Sequence, residues 1–228
     1  MISNKLVANT IYVSLIAQLI TTLISLDGLN YDLTINDYIL KHILILEAFV
    51  QFIEAGFYIW VIFSLKDLKI MTRRRYIDWF ITTPTMLIST IIFMEYLRKK
   101  EANENIVTFT EFLNENRDNI IKLVTYNFGM LLFGLMGELG IINNYVAVSI
   151  GTVFFALSFQ LIYEKYAKWT DDSTTLFIFL LSFWSLYGVA ALLNITAKNT
   201  MYNMLDIVSK NFYGLFIYIY IRKVGLRS

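Results

Sequence analysis

The sequence predicts an all-α membrane protein, a bundle of seven transmembrane helices built as a single domain over residues 1–228. Three observations predict it. Hydrophobic residues make up 57% of the chain and charged ones only 16%, where a soluble domain carries roughly 25% charged residues. Seven apolar stretches of spanning length follow one another along the chain. At roughly 20 residues per crossing, 228 residues leave no room for a separate soluble domain.

Taken in order, the spans lie at 5–26 (A), 39–65 (B), 75–97 (C), 120–141 (D), 144–166 (E), 173–195 (F) and 199–222 (G). Span A is not read as a cleavable signal peptide, because its apolar run is too long and no small-residue cleavage site precedes Asp27. The A–B loop carries Asp27, Asp32 and Asp37 and is expected to be solvated, with His42 just beyond it at the interface. The C–D connection, from Arg98 through Glu101, Glu104, Glu111, Glu115 and Arg117 to Lys122, is the most polar segment and reads as a solvated loop without a motif. An extracellular N-terminus places eleven Lys and Arg residues on the cytoplasmic side and six outside, so the positive-inside bias favours a cytoplasmic C-terminus. The B–C loop, with Lys66, Lys69, Arg73 and Arg74 on the outer side, argues the other way.

Composition excludes several chemistries. The chain has no cysteine and one histidine, so disulfide scaffolds, thiolate sites and His-based zinc sites drop out. A net charge of +1 gives no reason to expect a nucleic-acid partner, and no enzymatic activity or metal site is expected.

The informative residues are ionisable groups inside the spans, each costing about 2.5–3.5 kcal/mol at a helix centre. Span G carries Asp206 and Lys210, span C carries Arg75 and Asp78, and span B carries Glu47 and Glu54. Asp206 and Lys210, four apart, share a helix face and alone would read as readily as a structural pair. Lys210, however, lies ~18 Å from the end of its span, too deep to reach water easily. A buried amine that loses its proton is a nucleophile toward aldehydes, and a protonated imine there would need carboxylates beside it.

The stretch Arg75-Tyr76-Ile77-Asp78-Trp79-Phe80-Ile81-Thr82-Thr83-Pro84 resembles helix C of the microbial rhodopsins. Asp206-x-x-x-Lys210 resembles their retinal-bearing helix G, and Phe183-Trp184-Ser185-Leu186-Tyr187 the aromatic segment of helix F. The resemblance covers all seven spans in order and is strongest to the viral rhodopsins that are light-gated cation channels. It implies all-trans retinal bound covalently to Lys210 as a protonated Schiff base. Asp78 and Asp206 would be its paired counterions, with Arg75 beneath and linked to both. Trp79, Trp184 and Tyr187 would clamp the polyene, Thr82 would bond the helix C counterion, and Thr83, Met86, Met130 and Gly134 would complete the pocket. Two departures stand out. Gly188 occupies the place of the helix F proline found in proton pumps, and Ser89, eleven residues after Asp78, occupies that of the pumps' internal proton donor.

Four spans also carry polar residues at helical spacing. These are Ser14, Gln18, Thr21 and Ser25 in A; Glu47, Gln51, Glu54 and Tyr58 in B; Asp78, Thr82, Thr85 and Ser89 in C; and Asn199, Asn203, Asp206 and Lys210 in G. In the fold that the resemblance implies these spans are neighbours, so the stripes would line a hydrated path. Ser14, Gln18, Glu47, Glu54, Arg75 and Asn203 are its expected ion-contacting residues, with Glu54 bonded to Gln18 or paired with Arg75. Hydroxyls that bond their own backbone are the alternative for the Ser and Thr positions. The expected function is a light-gated cation channel, with an outward proton pump or a partner-coupled photosensor as alternatives. The expected partners are the lipid bilayer and cations or protons, and a homo-oligomer is compatible with this reading.

Overall fold

A computed structural model describes residues 2–63 and 65–227, with side chains from Lys5 to Leu226 within those ranges. Nine α-helices account for most of the described residues: α1 (Ile2–Gly28), α2 (Ile39–Ile62), α3 (Leu68–Glu101), α4 (Phe109–Glu115), α5 (Arg117–Glu138), α6 (Asn144–Lys165), α7 (Asp171–Ala191), α8 (Ile195–Asp206) and α9 (Phe212–Val224). Six are single helices long and apolar enough to cross a membrane, namely α1, α2, α3, α5, α6 and α7. The seventh crossing is composite, with α8 and α9 joined by a π-helical turn at Ile207–Asn211. The seven-helix bundle is therefore the fold.

The first helix is inverted relative to one of a water-soluble bundle, with a polar inner face and an apolar outer one. In α1, Ser14, Gln18 and Ser25 are fully buried, while Leu23 is 68% and Ile16 57% exposed. Apolar side chains facing outward around a polar interior are stable only where the surroundings are hydrocarbon, which makes this an integral, multi-pass membrane protein. α1 packs on α2, α8 and α9, and α2 on α3 and α9, so the four polar-striped crossings are neighbours. Gly214 lets α9 approach α2 closely, since a Cβ there would lie 2.0 Å from Gln51 Nε2. Gly140, at φ +74°, turns the chain between α5 and α6.

Three expectations about the connections are corrected. α3 begins at Leu68 rather than 75, capped by Asp67, whose carboxylate accepts from the backbone N–H of Lys69 and Ile70. The polar Lys69, Arg73 and Arg74 hid this first turn from a reading by apolarity. Arg74 instead lies over the Trp60 ring, 4.4 Å from its centroid, and Arg73 Nε donates to the Glu138 carbonyl at 3.3 Å. The C–D connection contains α4, opened by a capping box in which Thr108 N donates to Glu111 Oε2 at 2.8 Å and Glu111 N to Thr108 Oγ1 at 3.3 Å. Seven residues are too few for a hydrophobic period to register; Phe112 is the fully buried residue of the helix, with Phe109 and Leu113 packed against the same core. Phe109, its first residue, stacks on His42, with ring centroids 5.2 Å apart. The chain's end pairs antiparallel with the A–B loop, Tyr31 opposite Arg227 and Asp32 opposite Leu226.

The acidic A–B loop is tied down rather than uniformly solvated. Asp37 Oδ1 accepts from Lys100 Nζ at 2.7 Å and from the Tyr96 hydroxyl, and Asp37 Oδ2 accepts from Thr34 at 2.9 Å. Partial burial pushes its carboxyl upward, but the bonds from Lys100, Tyr96 and Thr34 outweigh it and hold Asp37 below its usual value. A depressed folded-state value means that this contact stabilises above about pH 4 and is lost as pH falls further, through the folded-state titration. The protection of backbone amides at residues 30–38 against hydrogen exchange, measured relative to their intrinsic rates at each pH, should therefore fall on acidification in the parent and lose that acid limb in Asp37→Asn. An unchanged acid limb in the variant would remove Asp37 as its cause. No group of three or more metal-ligating side chains occurs among the described residues.

Candidate functional site: a buried ion cluster beside an apolar cavity

Lys210 lies in the π-helical turn, where Phe212 N–H reaches back to the Ile207 carbonyl. Ser209, Lys210 and Asn211 are each only 2% exposed, so the wider turn directs three successive side chains inward. Lys210 Nζ donates to Glu54 Oε1 and Asp78 Oδ2, both at 2.9 Å, and stands 3.8 Å from Asp206 Oδ1. Asp206 is held instead by the hydroxyls of Tyr58 and Tyr187, each at 2.8 Å, and by Arg75 Nη1 at 3.0 Å. Arg75 Nη2 donates to Asn203 Oδ1. Three carboxyl groups and two cationic groups thus share a buried interior, where each ion costs several kcal/mol unless partnered.

This geometry revises several expected roles. Glu54 bonds to Gln18 as expected, but its cation is Lys210 and not Arg75. Arg75 hydrogen-bonds to Asp206 and Asn203, and among the described residues no hydrogen bond runs from it to Asp78, which accepts from Lys210 instead. Thr82 Oγ1 donates to the Asp78 backbone carbonyl at 3.0 Å, not to its carboxylate, as buried threonines in helices commonly do. Thr85 likewise bonds the Ile81 carbonyl at 2.8 Å, is only half-buried, and falls off the interior stripe.

The remaining stripe residues form a series of hydrogen-bonded groups along a seam between α1, α2, α3 and the α8–α9 crossing. At one end Thr72 and Asn199 bond each other; next, Asn203 donates to Thr10 at 2.8 Å and Ser14 to the Asn203 carbonyl at 2.9 Å. Past the ion cluster, Gln18 and Asn211 exchange two bonds of 2.9 Å, and Ser25 donates to Gln51 at 3.2 Å. Ser89 then donates to Glu47 Oε1. Glu47 Oε2, Gln51 Nε2 and the Tyr213 hydroxyl are buried without a partner among the described residues. Ser209, Asn211 and Tyr202 were missed by the sequence reading. Tyr202, which meets Trp79 edge-on at 4.9 Å, could have been found, since 202, 206 and 210 continue one i,i+4 row.

On the other side of Lys210 lies an apolar cavity of about 190 Å³. Trp79, Thr83, Met86, Met130, Gly134, Trp184 and Tyr187 line it, with Tyr76, Leu131, Gly151, Phe155, Gly188 and Tyr202. Ser14, Gln18, Glu47, Glu54 and Asn203 do not; they belong to the seam. An amine with two carboxylates at one end of an aromatic-walled cavity suits a hydrophobic aldehyde. The Trp184 Nε1 in the wall and Asp78 Oδ1 beside the amine, both buried without partners among the described residues, leave polar capacity for such a guest.

The comparisons bear on what this arrangement is. The viral rhodopsin OLPVRII has a crystal structure that matches with a TM-score of 0.81 at 26% identity, covering 96% of this chain and 99% of that one. Exiguobacterium sibiricum rhodopsin matches at 0.76 and 19% identity, covering 98% of each chain. Bromide-bound halorhodopsin from Halobacterium salinarum matches at 0.73 and 13%, also covering 98% of each. At identities this low, the last two support the fold alone. A search of curated proteins found no significant match. The family model described as bacteriorhodopsin-like protein matches residues 8–224, nearly the whole chain, and the protein therefore belongs to the bacteriorhodopsin-like family of microbial rhodopsins.

Proposed function

We propose that the protein is a retinal-binding photoreceptor that acts as a light-gated cation channel, with an extracellular N-terminus and no enzymatic activity. One observation carries the reading: Lys210 gives equal 2.9 Å bonds to Asp78 on α3 and to Glu54 on α2, so the chromophore site and the polar seam share one ion cluster. Retinal, when bound to Lys210, supplies light absorption and a change of shape. Trp79, Trp184 and Tyr187 confine it, while Asp78 and Asp206 balance the positive charge at Nζ. Arg75, Tyr58 and Tyr187 hold Asp206 in place.

In the dark, Gln18 ties Glu54 across the seam, and a protonated Schiff base at Nζ, whose single N–H can donate to only one of Glu54 and Asp78, would complete the closure. Displacement of Nζ by light frees Glu54, and its carboxylate, with Glu47 further along, attracts cations and repels anions. The test is a light-evoked current recorded at several voltages in a cation gradient. A channel current reverses near the cation equilibrium potential. A current that keeps one direction at every voltage would overturn the channel reading.

A second reading, an outward proton pump, is favoured by the Ser89–Glu47 bond. Ser89 itself cannot supply a proton, but it holds a carboxyl group delivered from α2 to the same place. The unidirectional current just described is the outcome that this second reading expects.

A further inference from the structure

We propose that Lys198 and Glu138, braced by Arg73, close one end of the cofactor cavity and so keep water and dissolved nucleophiles from the amine of Lys210. The closed end is the one that carries the α2–α3, α5–α6 and α7–α8 connections. The inference rests on the retinal reading above and concerns how the loaded site is protected. Tyr76 on α3, Gly134 on α5 and Tyr202 on α8 form part of the cavity wall. Arg73 lies about one helical turn beyond Tyr76, Glu138 one turn beyond Gly134 and Lys198 one turn beyond Tyr202, all toward the same end. The three are joined there. Lys198 Nζ donates to Glu138 Oε1 at 2.5 Å, and Arg73 Nε donates to the Glu138 carbonyl at 3.3 Å.

Helix packing does not fill the span that this ion pair bridges. α5 packs mainly on α3 and α6, and α8 on α1 and α7, so two long side chains join helices that make little direct contact. Between α6 and α7 the same end is tied by a neutral bond, from Asn144 Nδ2 to the Ala191 carbonyl at 2.8 Å. Behind the ion pair, the rings of Tyr76 and Tyr202 meet Trp79 edge-on at 5.2 and 4.9 Å. α5 presses on this layer, since a Cβ at Gly134 would lie 2.8 Å from the Tyr76 hydroxyl. Parting α5 from α8 therefore loosens the cavity wall. The Lys198 and Glu138 side chains are only 8% and 10% exposed, and at that burial desolvation offsets much of their attraction. A purely structural tie would move the thermal midpoint alone, whereas a closure changes what reaches the amine.

The test follows bleaching of the full-length pigment by hydroxylamine in the dark. Hydroxylamine attacks the imine carbon, displaces the lysine amine and leaves retinal as its oxime, with loss of the visible band. Lys198→Met and Glu138→Gln each remove the ion pair with little change of shape, and neither residue lines the cavity. Well below their thermal midpoints, both should bleach about tenfold faster than the parent, as when an opening equilibrium shifts by roughly 1.4 kcal/mol, with absorption close to the parent's. The exchanged pair, Glu138→Lys with Lys198→Glu, should return the rate toward the parent's. Arg98→Gln breaks an ion pair with Glu95 at the opposite end of α3 and serves as control, keeping the parent's rate. If Lys198→Met fails to fold, Glu138→Gln decides with the exchanged pair. Parental bleaching in both single variants overturns the closure and leaves retinal binding standing, as does a lowered thermal midpoint without faster bleaching. Bleaching as fast in Arg98→Gln or in the exchanged pair as in the single variants overturns it too. A parent that forms no pigment removes the retinal reading, and the closure with it.

Discussion

Lys210→Ala is expected to yield no visible pigment after incubation with all-trans retinal, whereas the parent forms a band well shifted from free retinal. The same variant should lower the stability of the apoprotein. Glu54 and Asp78 each accept a 2.9 Å bond from Nζ, and without it two buried carboxyl groups face one another with no cation between them. Removing one partner of a buried charge pair typically costs about 3–5 kcal/mol, less whatever the acids recover by taking up protons. A second substitution, Asp78→Asn in the Lys210→Ala background, should return part of that loss, because it removes one of the stranded charges. Absorption after reconstitution and the thermal midpoint of the apoprotein check the two parts separately. A stable, parent-like visible band in Lys210→Ala would end the assignment of Lys210 as the attachment point.

Glu54→Gln is expected to change both the pigment and the current. It keeps the shape of the side chain and a partner for Gln18, but removes a negative charge in contact with Lys210. From the sequence alone, Glu54 would alter conduction with the pigment intact. The contact with the amine changes that expectation, and the absorption band should shift as well. A buried charge contact worth about 1.4 kcal/mol or more changes any population it biases at least tenfold, so the closed seam should be measurably destabilised. In voltage-clamp records this appears as altered current amplitude, reversal potential or closing rate at equal pigment level. If Glu54→Gln and Glu54→Ala both left the band, the reversal potential and the kinetics at parental values, Glu54 would be neither a gate nor a charge partner of the chromophore.

The sequence alone determined the number of crossings, the polar stripes on four of them and the identity of the ionisable residues at their centres. These follow from local rules: a spanning helix needs about twenty apolar residues, and a 3.6-residue period decides which side chains share a face. It determined too that Lys210 is too deep to reach water, and its motifs pointed to the family that the comparisons then supported. What it left undecided is which acid meets which base. Glu54, Asp78 and Asp206 were all legible as buried acids, but their partition between Lys210 and Arg75 depends on the π-helical turn at Ile207–Asn211, which has no signature in the hydrophobic pattern. Once that turn brings Nζ within reach of α2 and α3, Glu54 and Asp78 take the amine and Asp206 is left to Arg75 and two tyrosines. The meeting of Ser89 with Glu47, 42 residues apart, likewise required α2 and α3 to pack in register. Burial costs can be read from one helix at a time, whereas ion pairing over 3 Å is set by how helices distant in sequence are placed against each other, and only the tertiary structure decides that.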